Sequence, residues 1–170
     1  MKNNTKPYVK KITYVALFVS IIAVLAQISI PTPLIPLTLQ TFAIALCGFV
    51  LNKKYSVITV IVYLLLGTVG APVFASFNGG FHVLISYTGG FLWGFIPFVL
   101  LCSLTKGKIS IPFGLLGLLL CYIVGVIQYS IISKTMSWYI FLLPLLKDVI
   151  LVFAAYFVAT RINKIIKKHL

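Results

Sequence analysis

The sequence predicts an all-α membrane protein of six transmembrane helices with both termini in the cytoplasm. Three observations lead there. Of the 170 residues, 61% are hydrophobic and 9% charged, with a mean hydropathy of +1.15; a soluble domain carries about 25% charged residues, so a water-exposed surface cannot be built from this composition. Charges then divide the chain into long neutral runs, 41 residues between Lys11 and Lys53 and 51 between Lys54 and Lys106. Each run is too long for one spanning helix of about 20 residues and long enough for two with a neutral loop. Finally, six spans put 12 of the 14 Lys and Arg residues on one side, leaving only Lys134 and Lys147 in the outer half. By the positive-inside rule that side is cytoplasmic.

The first span is the run ITYVALFVSIIAVLAQISI, Ile12 to Ile30. Lys2, Lys6, Lys10 and Lys11 precede it in the manner of a signal peptide. The run is longer than a usual signal core and lacks a small-residue cleavage site, so it is expected to be retained. PTPLIP, 31–36, separates it from the second span, and GAPVFASFNGGFHVLISYTGG, 70–90, separates the third from the fourth. A fifth span fits Ile111 to Ile132, and a sixth starts between Trp138 and Leu145 and ends near Thr160. Residues 1–170 are thus expected to form one integral membrane unit. A net charge of +13 would suit nucleic acid in a soluble protein, but here it decorates the inner membrane face, so no nucleic-acid partner is expected. Cys47, Cys102 and Cys121 have no CxxC spacing and no adjacent histidine, and are expected to be buried small hydrophobes rather than metal ligands.

The neutral outer loop is aromatic and glycine-rich, with Phe74, Phe77, Asn78, Phe81, His82 and Tyr87. Two readings are open: a lid folded back on the bundle, or a loop dipping into the membrane interface. His82 has no partner residue nearby in the sequence and is not expected to be a ligand.

The stretches AQISIPTPLIPLTLQTFAIALCGFVL (Ala26 to Leu51) and LLLGTVGAPVFASFNGGFHVLISYTGGFLWGF (Leu64 to Phe95) resemble the biotin-specific substrate-binding subunits of energy-coupling factor transporters, the BioY family. The family elements Gln-Ile-Ser-Ile-Pro, Pro-x-Thr-Leu-Gln-Thr, Gly-x-Pro-Val-Phe and Pro-Thr-Gly-Gly-Tyr match, in order, Gln27 to Pro31, Pro36 to Thr41, Gly70 to Phe74 and Tyr87 to Phe91. The resemblance implies a multi-pass protein of the bacterial plasma membrane with a biotin pocket near the outer face. It implies no enzymatic activity and no cofactor, and dependence on a membrane scaffold subunit and ATPase subunits. It also implies that an Ala-x-x-x-Ala face on the first helix docks the scaffold; here that face is Ala16, Ser20 and Ala23, with Ser20 replacing the second alanine. Packing inside the subunit's own bundle is the other use for such small residues. Two departures stand out. NGG, Asn78 to Gly80, occupies the place of a common Ser-Gly-Gly, and the family's Asp-x-x-Lys pair is broken, because Asp148 is followed three residues on by Leu151 while the lysine sits at Lys147.

Asp148 is the only acidic side chain in the chain. A charged side chain at membrane depth costs about 2.5–3.5 kcal/mol on insertion scales, so its retention needs a reason. Biotin offers a ureido ring with two N–H donors, a thiolane sulfur and a carboxylate tail. Asp148 is suited to accept from the ureido N–H groups; favouring the positive end of a helix opened by Pro144, or pairing with Lys147, is its alternative role. Asn78 and Gln40 bring amides that bond either a ligand or the protein itself, in a turn or between helices. Lys147 and the hydroxyls of Ser86, Tyr87 and Thr88 are alternatives for the carboxylate. Phe74, Phe77 and Trp93 are apolar walls or interfacial anchors.

The chain contains no GxxxxGK[ST] phosphate loop, so energised uptake would need separate ATPases. Rival readings are an S component for another vitamin, or a stand-alone carrier using Asp148 as a proton site, although no convincing internal repeat supports the carrier. An intramembrane enzyme is disfavoured because no Ser/His, Cys/His or HExxH arrangement is present.

Overall fold

A computed structural model describes residues 5–30, 36–105, 107, 109–134 and 141–168. Its elements are α1 (Thr5–Gln27), the two-residue strands β1 (Ser29–Ile30) and β2 (Leu37–Thr38), α2 (Gln40–Val50), α3 (Lys53–Thr68), α4 (Gly89–Leu104), α5 (Ser110–Ser133) and α6 (Leu142–Lys168). Two single 3-10 turns, Ala75–Phe77 and Phe81–Val83, lie between α3 and α4. The proline cluster at 31–35, Lys2, Lys106, Lys108 and the earliest expected start of the last span, Trp138, lie outside the described residues.

The six expected helices are present, but they are unequal. Among the described residues three are long and apolar enough to cross a membrane, with qualifying stretches Val9–Gln27, Ser110–Ser133 and Leu142–Ile165. The expectation of six full spans therefore needs revising for α2, which has 11 residues. At 1.5 Å per residue it is about 16 Å long, roughly half of a 30 Å hydrocarbon core. Its shortness has a structural counterpart, since β1 and β2 pair antiparallel before it, Ser29 with Thr38 and Ile30 with Leu37, using residues that a longer helix would have taken. The sixth helix overruns its expected end near Thr160 and continues to Lys168. Arg161 and Lys164, good helix formers, allow the helix to continue past the apolar run.

α2 is the centre of the bundle. Nine of its 11 residues are buried, and it packs against α1, α3, α4 and α6. Ile44, Cys47 and Phe49 of α2 join Ile22, Val60, Phe98 and Val152 in one core. The three cysteines are buried in this interior, as small hydrophobes. α4 and α5 make the most extensive helix pair. Their close approach depends on missing side chains: a Cβ at Gly94 would lie 2.8 Å from the Cα of Cys121, and one at Gly90 would lie 2.7 Å from the carbonyl of Val124. Small residues at such a seam let helix backbones meet where lipid offers no hydrophobic drive.

The outward faces are apolar as well. Leu116, Leu119, Ile123, Ile127 and Ile131 on α5, with Leu143, Leu146, Ile150 and Phe157 on α6, are exposed. A helix apolar on both its buried and its open faces is what hydrocarbon solvent requires. On α1, Phe18, Val19, Ile22 and Ala26 face the bundle, while Ala16 and Ser20 are exposed and Ala23 is half-buried. The small residues Ala16 and Ser20 thus lie on the open side of α1, away from its contacts with α2 and α3.

Candidate ligand-binding site

A cavity of about 130 Å³ lies where the start of α2, the start of α4, the middle of α5 and the first turns of α6 converge beneath the α3–α4 connection. Asp148 sits in the second turn of α6 and is 6% exposed. Pro144, in the first turn, is compatible with the helix start, because the N–H it lacks would have had no helical partner. The helix dipole fades beyond the first turn, so Asp148 relies on specific partners instead.

Those partners are well defined. The Tyr122 hydroxyl, from the middle of α5, donates to Asp148 Oδ2 at 2.6 Å. Lys147 Nζ stands 2.8 Å from Asp148 Oδ1 and donates to the carbonyl of Thr38 in β2 at 2.6 Å. Adjacent helical residues diverge by about 100°, yet the long lysine stem curls back far enough to meet the carboxylate. Lys147 thus meets Oδ1 as an ion pair, and Oδ1 is fully buried with no other partner among the described residues. The β1–β2 pairing matters here, because it presents the Thr38 carbonyl that holds the ammonium.

A second polar chain runs along the cavity. Gln40, first residue of α2 and 4% exposed, donates through Nε2 to the Tyr63 hydroxyl at 2.6 Å. Tyr63 in turn donates to the carbonyl of Val73 at 3.0 Å. The Phe74 ring is buried against Tyr63, edge to face at 5.6 Å. Gly67 makes this fit possible, because any Cβ there would collide with the Phe74 ring. Phe91 and Tyr122 form the opposite aromatic wall, 5.2 Å apart and edge to face.

Of the residues expected at a site, Gln40, Phe74, Asn78, Thr88, Lys147 and Asp148 line this cavity. Ser86, Tyr87, Phe77 and Trp93 lie outside its wall, each with a local reason. The Ser86 hydroxyl donates to its own turn at Val83, and the Tyr87 ring lies against Tyr129. Trp93 Nε1–H donates to the carbonyl of Leu84, and Phe77 is 70% exposed. Asn78 directs its amide to the carbonyl of Ala75 at 2.9 Å, as a turn asparagine does, while still bordering the cavity.

Tyr122, Tyr63, Phe91 and Thr38 were not anticipated. A detectable signal existed for Tyr122. A hydroxyl in the middle of a 24-residue apolar helix must find a partner, and Asp148 is the only carboxylate side chain in the chain. Thr38 contributes through its backbone, which leaves no residue-type signal.

These features define an apolar, helical protein built around a small-molecule cavity with one fixed ion pair in its wall. The BioY family model matches residues 1–168, and the chain belongs to that family. Its relatives include the "Probable biotin transporter BioY" of Pyrococcus horikoshii, 40% identical over 68% of this chain and 72% of the relative. The "Biotin transporter BioY" of Thermotoga maritima is 43% identical over 65% and 68%. These relatives are named as transport proteins, not enzymes. The fold is similar to a crystal structure described as the S-component for biotin from an ECF-type ABC transporter, with a TM-score of 0.83 and 27% identity over 96% of this chain and 95% of that one.

Tyr122→Phe removes the hydrogen bond to Oδ2 and leaves a buried charged oxygen unmet, which is expected to destabilise the ligand-free protein by about 1–3 kcal/mol. Thermal melting of the purified variant in detergent checks this, and an unchanged melting temperature would show that the hydroxyl is not holding the carboxylate.

Proposed function

We propose that this chain is the biotin-binding S component of an energy-coupling factor transporter, taking biotin from the outer face and working with a scaffold subunit and ATPase subunits. The observation that carries the reading is Asp148 Oδ1, a buried carboxylate oxygen in a cavity wall with no partner but Lys147 among the described residues. A fixed anionic acceptor in a low-dielectric site suits a ligand that brings N–H donors, and biotin's ureido ring brings two. A carboxylate oxygen already paired with an ammonium keeps lone-pair capacity for a further donor. Family membership and the names of the relatives select biotin among such ligands.

In this reading Asp148 accepts from the ureido group while Tyr122 fixes the carboxylate's orientation. Gln40 and Asn78 contribute amides, Thr88 a hydroxyl, and Phe74 and Phe91 enclose the ring system. Lys147 pairs with Asp148 at the ureido end, and the Thr88 hydroxyl, which lines the cavity, is the donor offered to the ligand's carboxylate. The exposed pair Ala16 and Ser20, continued by Ala23, offers the scaffold subunit a face on which helices can approach closely. In this reading all six helices lie in the membrane with both termini inside, and the short α2 is sheltered by its neighbours rather than spanning alone.

The purified protein in detergent is expected to bind one labelled biotin per chain, and absence of saturable binding would overturn the assignment. Asp148→Asn keeps the side-chain shape but turns one acceptor into a donor facing the ligand's N–H groups. Affinity is expected to fall about ten- to hundredfold, each tenfold being 1.4 kcal/mol, with little loss of thermal stability in the empty protein. A proton-coupled carrier would instead bind normally and lose only pH-dependent transport, while a purely structural carboxylate would cost stability without ligand. Ala16→Trp is expected to reduce co-purification with scaffold and ATPase subunits while leaving biotin affinity intact, and undiminished co-purification would remove this face as the docking surface.

A further inference from the structure

Gln27 ends α1, and none of the roles above uses it. Its carboxamide reaches across to the α3–α4 connection, 47 to 50 residues away in the chain. Nε2 donates to the carbonyl of Phe74 at 3.1 Å and to that of Ala23, one turn back in α1, at 3.1 Å. A longer contact of 3.5 Å runs to the carbonyl of Pro72. Oε1 accepts the backbone N–H of Phe77 at 2.8 Å. Both hydrogen-bonding ends of one side chain are therefore committed to a single short segment.

That segment is strained. Ser76 and Phe77 are successive non-glycine residues in the left-handed region, with φ of 58° and 57°. Such conformations persist only where the surroundings over-determine them. Inside the segment, Phe74 N–H donates to the carbonyl of Asn78 at 3.0 Å and Asn78 N–H to that of Ala75 at 3.3 Å. The flanks are tied to other helices: Tyr63 holds Val73, Gly67 accepts from Gly80 N–H at 2.7 Å, and Gln128 donates to Leu84 and Ser86. Between those flanks, among the described residues, the hydrogen bonds from the helices to residues 74–78 come from Gln27. Phe74, Ala75, Ser76 and Asn78 line the cavity, and Gln27 does not.

We propose that Gln27 is a positioning residue, a latch that holds residues 74–78 closed over the cavity and sets how fast a bound ligand leaves. It acts through the strap and never touches the ligand. Because it is borne on α1, the helix whose open face carries Ala16 and Ser20, movement of α1 against the bundle would pull on the strap directly. The identity of the ligand rests on the preceding reading; the latch itself is a property of the empty protein.

Two variants separate the contributions. Gln27→Met keeps the bulk and loses both hydrogen-bonding ends, and Gln27→Glu keeps the acceptor for Phe77 N–H while losing the donor to Phe74. Three measurements on the full chain in detergent are combined: amide hydrogen exchange without ligand, association and dissociation rates of labelled biotin, and thermal melting. For Gln27→Met, exchange over 74–78 rises while amides of α2 and the melting temperature stay unchanged. Biotin dissociation quickens about tenfold, equal to 1.4 kcal/mol, with association little altered. Gln27→Glu falls between Gln27→Met and the unaltered protein. The latch is overturned if exchange over 74–78 is unchanged, if it rises without faster release, or if α2 loosens equally. Should the unaltered protein bind no biotin, the ligand assignment fails, while unchanged exchange over 74–78 would still overturn the latch and raised exchange would support the hold of Gln27 on that segment.

Discussion

The ion pair between Asp148 and Lys147, with the Tyr122 hydroxyl on the other carboxylate oxygen, is the interaction to which the surrounding structure is fitted. A buried charge is tolerated only when it is both paired and hydrogen-bonded, because desolvation otherwise outweighs the Coulomb gain. Meeting that demand draws three distant parts of the chain together. α5 must pass close enough to α6 to deliver Tyr122, and β2 must lie across the end of the bundle to offer the Thr38 carbonyl to Lys147. The glycine seam between α4 and α5 then fixes how Phe91 meets Tyr122. Removing Lys147 or the Tyr122 hydroxyl would strand a buried carboxylate. Removing the carboxylate instead leaves an ammonium that is 27% exposed and still bonded to the Thr38 carbonyl, so the two sides of the pair are not equivalent.

The same economy of polar groups governs the α3–α4 connection. An irregular segment against an apolar bundle exposes backbone groups that must find partners, and here they find side-chain amides and a phenol: Gln27 from α1, Tyr63 from α3 and Gln128 from α5. Each is a neutral polar residue in or at the end of an apolar helix, and each is committed to the strap. Near the cavity, Gln40, Asn78 and Thr88 line the wall while Gln27, Tyr63 and Gln128 hold the segment that covers it.

The helices and part of the cavity wall are legible in the sequence, and the polar networks are not. Charge-free run lengths give the number of helices, and the expected fifth span, Ile111 to Ile132, lies within a residue of α5 at each end. Asp148 stood out because nothing else in the chain is acidic, and Gln40, Phe74, Asn78, Thr88 and Lys147 came from ordered motifs and the chemistry of their side chains. What stayed hidden has a common cause: roles that arise from three-dimensional pairing rather than residue type. Thr38 acts through its carbonyl, and Ser86, Tyr87 and Trp93 turned to partners within a few residues or across to α5, which no spacing rule reveals. The shortness of α2 was also hidden, because its 11 apolar residues read like part of a longer span until the β1–β2 pairing had claimed the residues before it.

Having a single acidic side chain makes the central proposal unusually open to measurement. Infrared difference spectra between the empty and biotin-loaded protein, recorded with biotin carrying a ¹³C-labelled carboxyl group, separate the ligand's carboxylate from that of Asp148. An acceptor role predicts a shift of the Asp148 carboxyl band on biotin binding, a shift that is missing in Asp148→Asn. An Asp148 band left unperturbed by biotin binding would contradict the account.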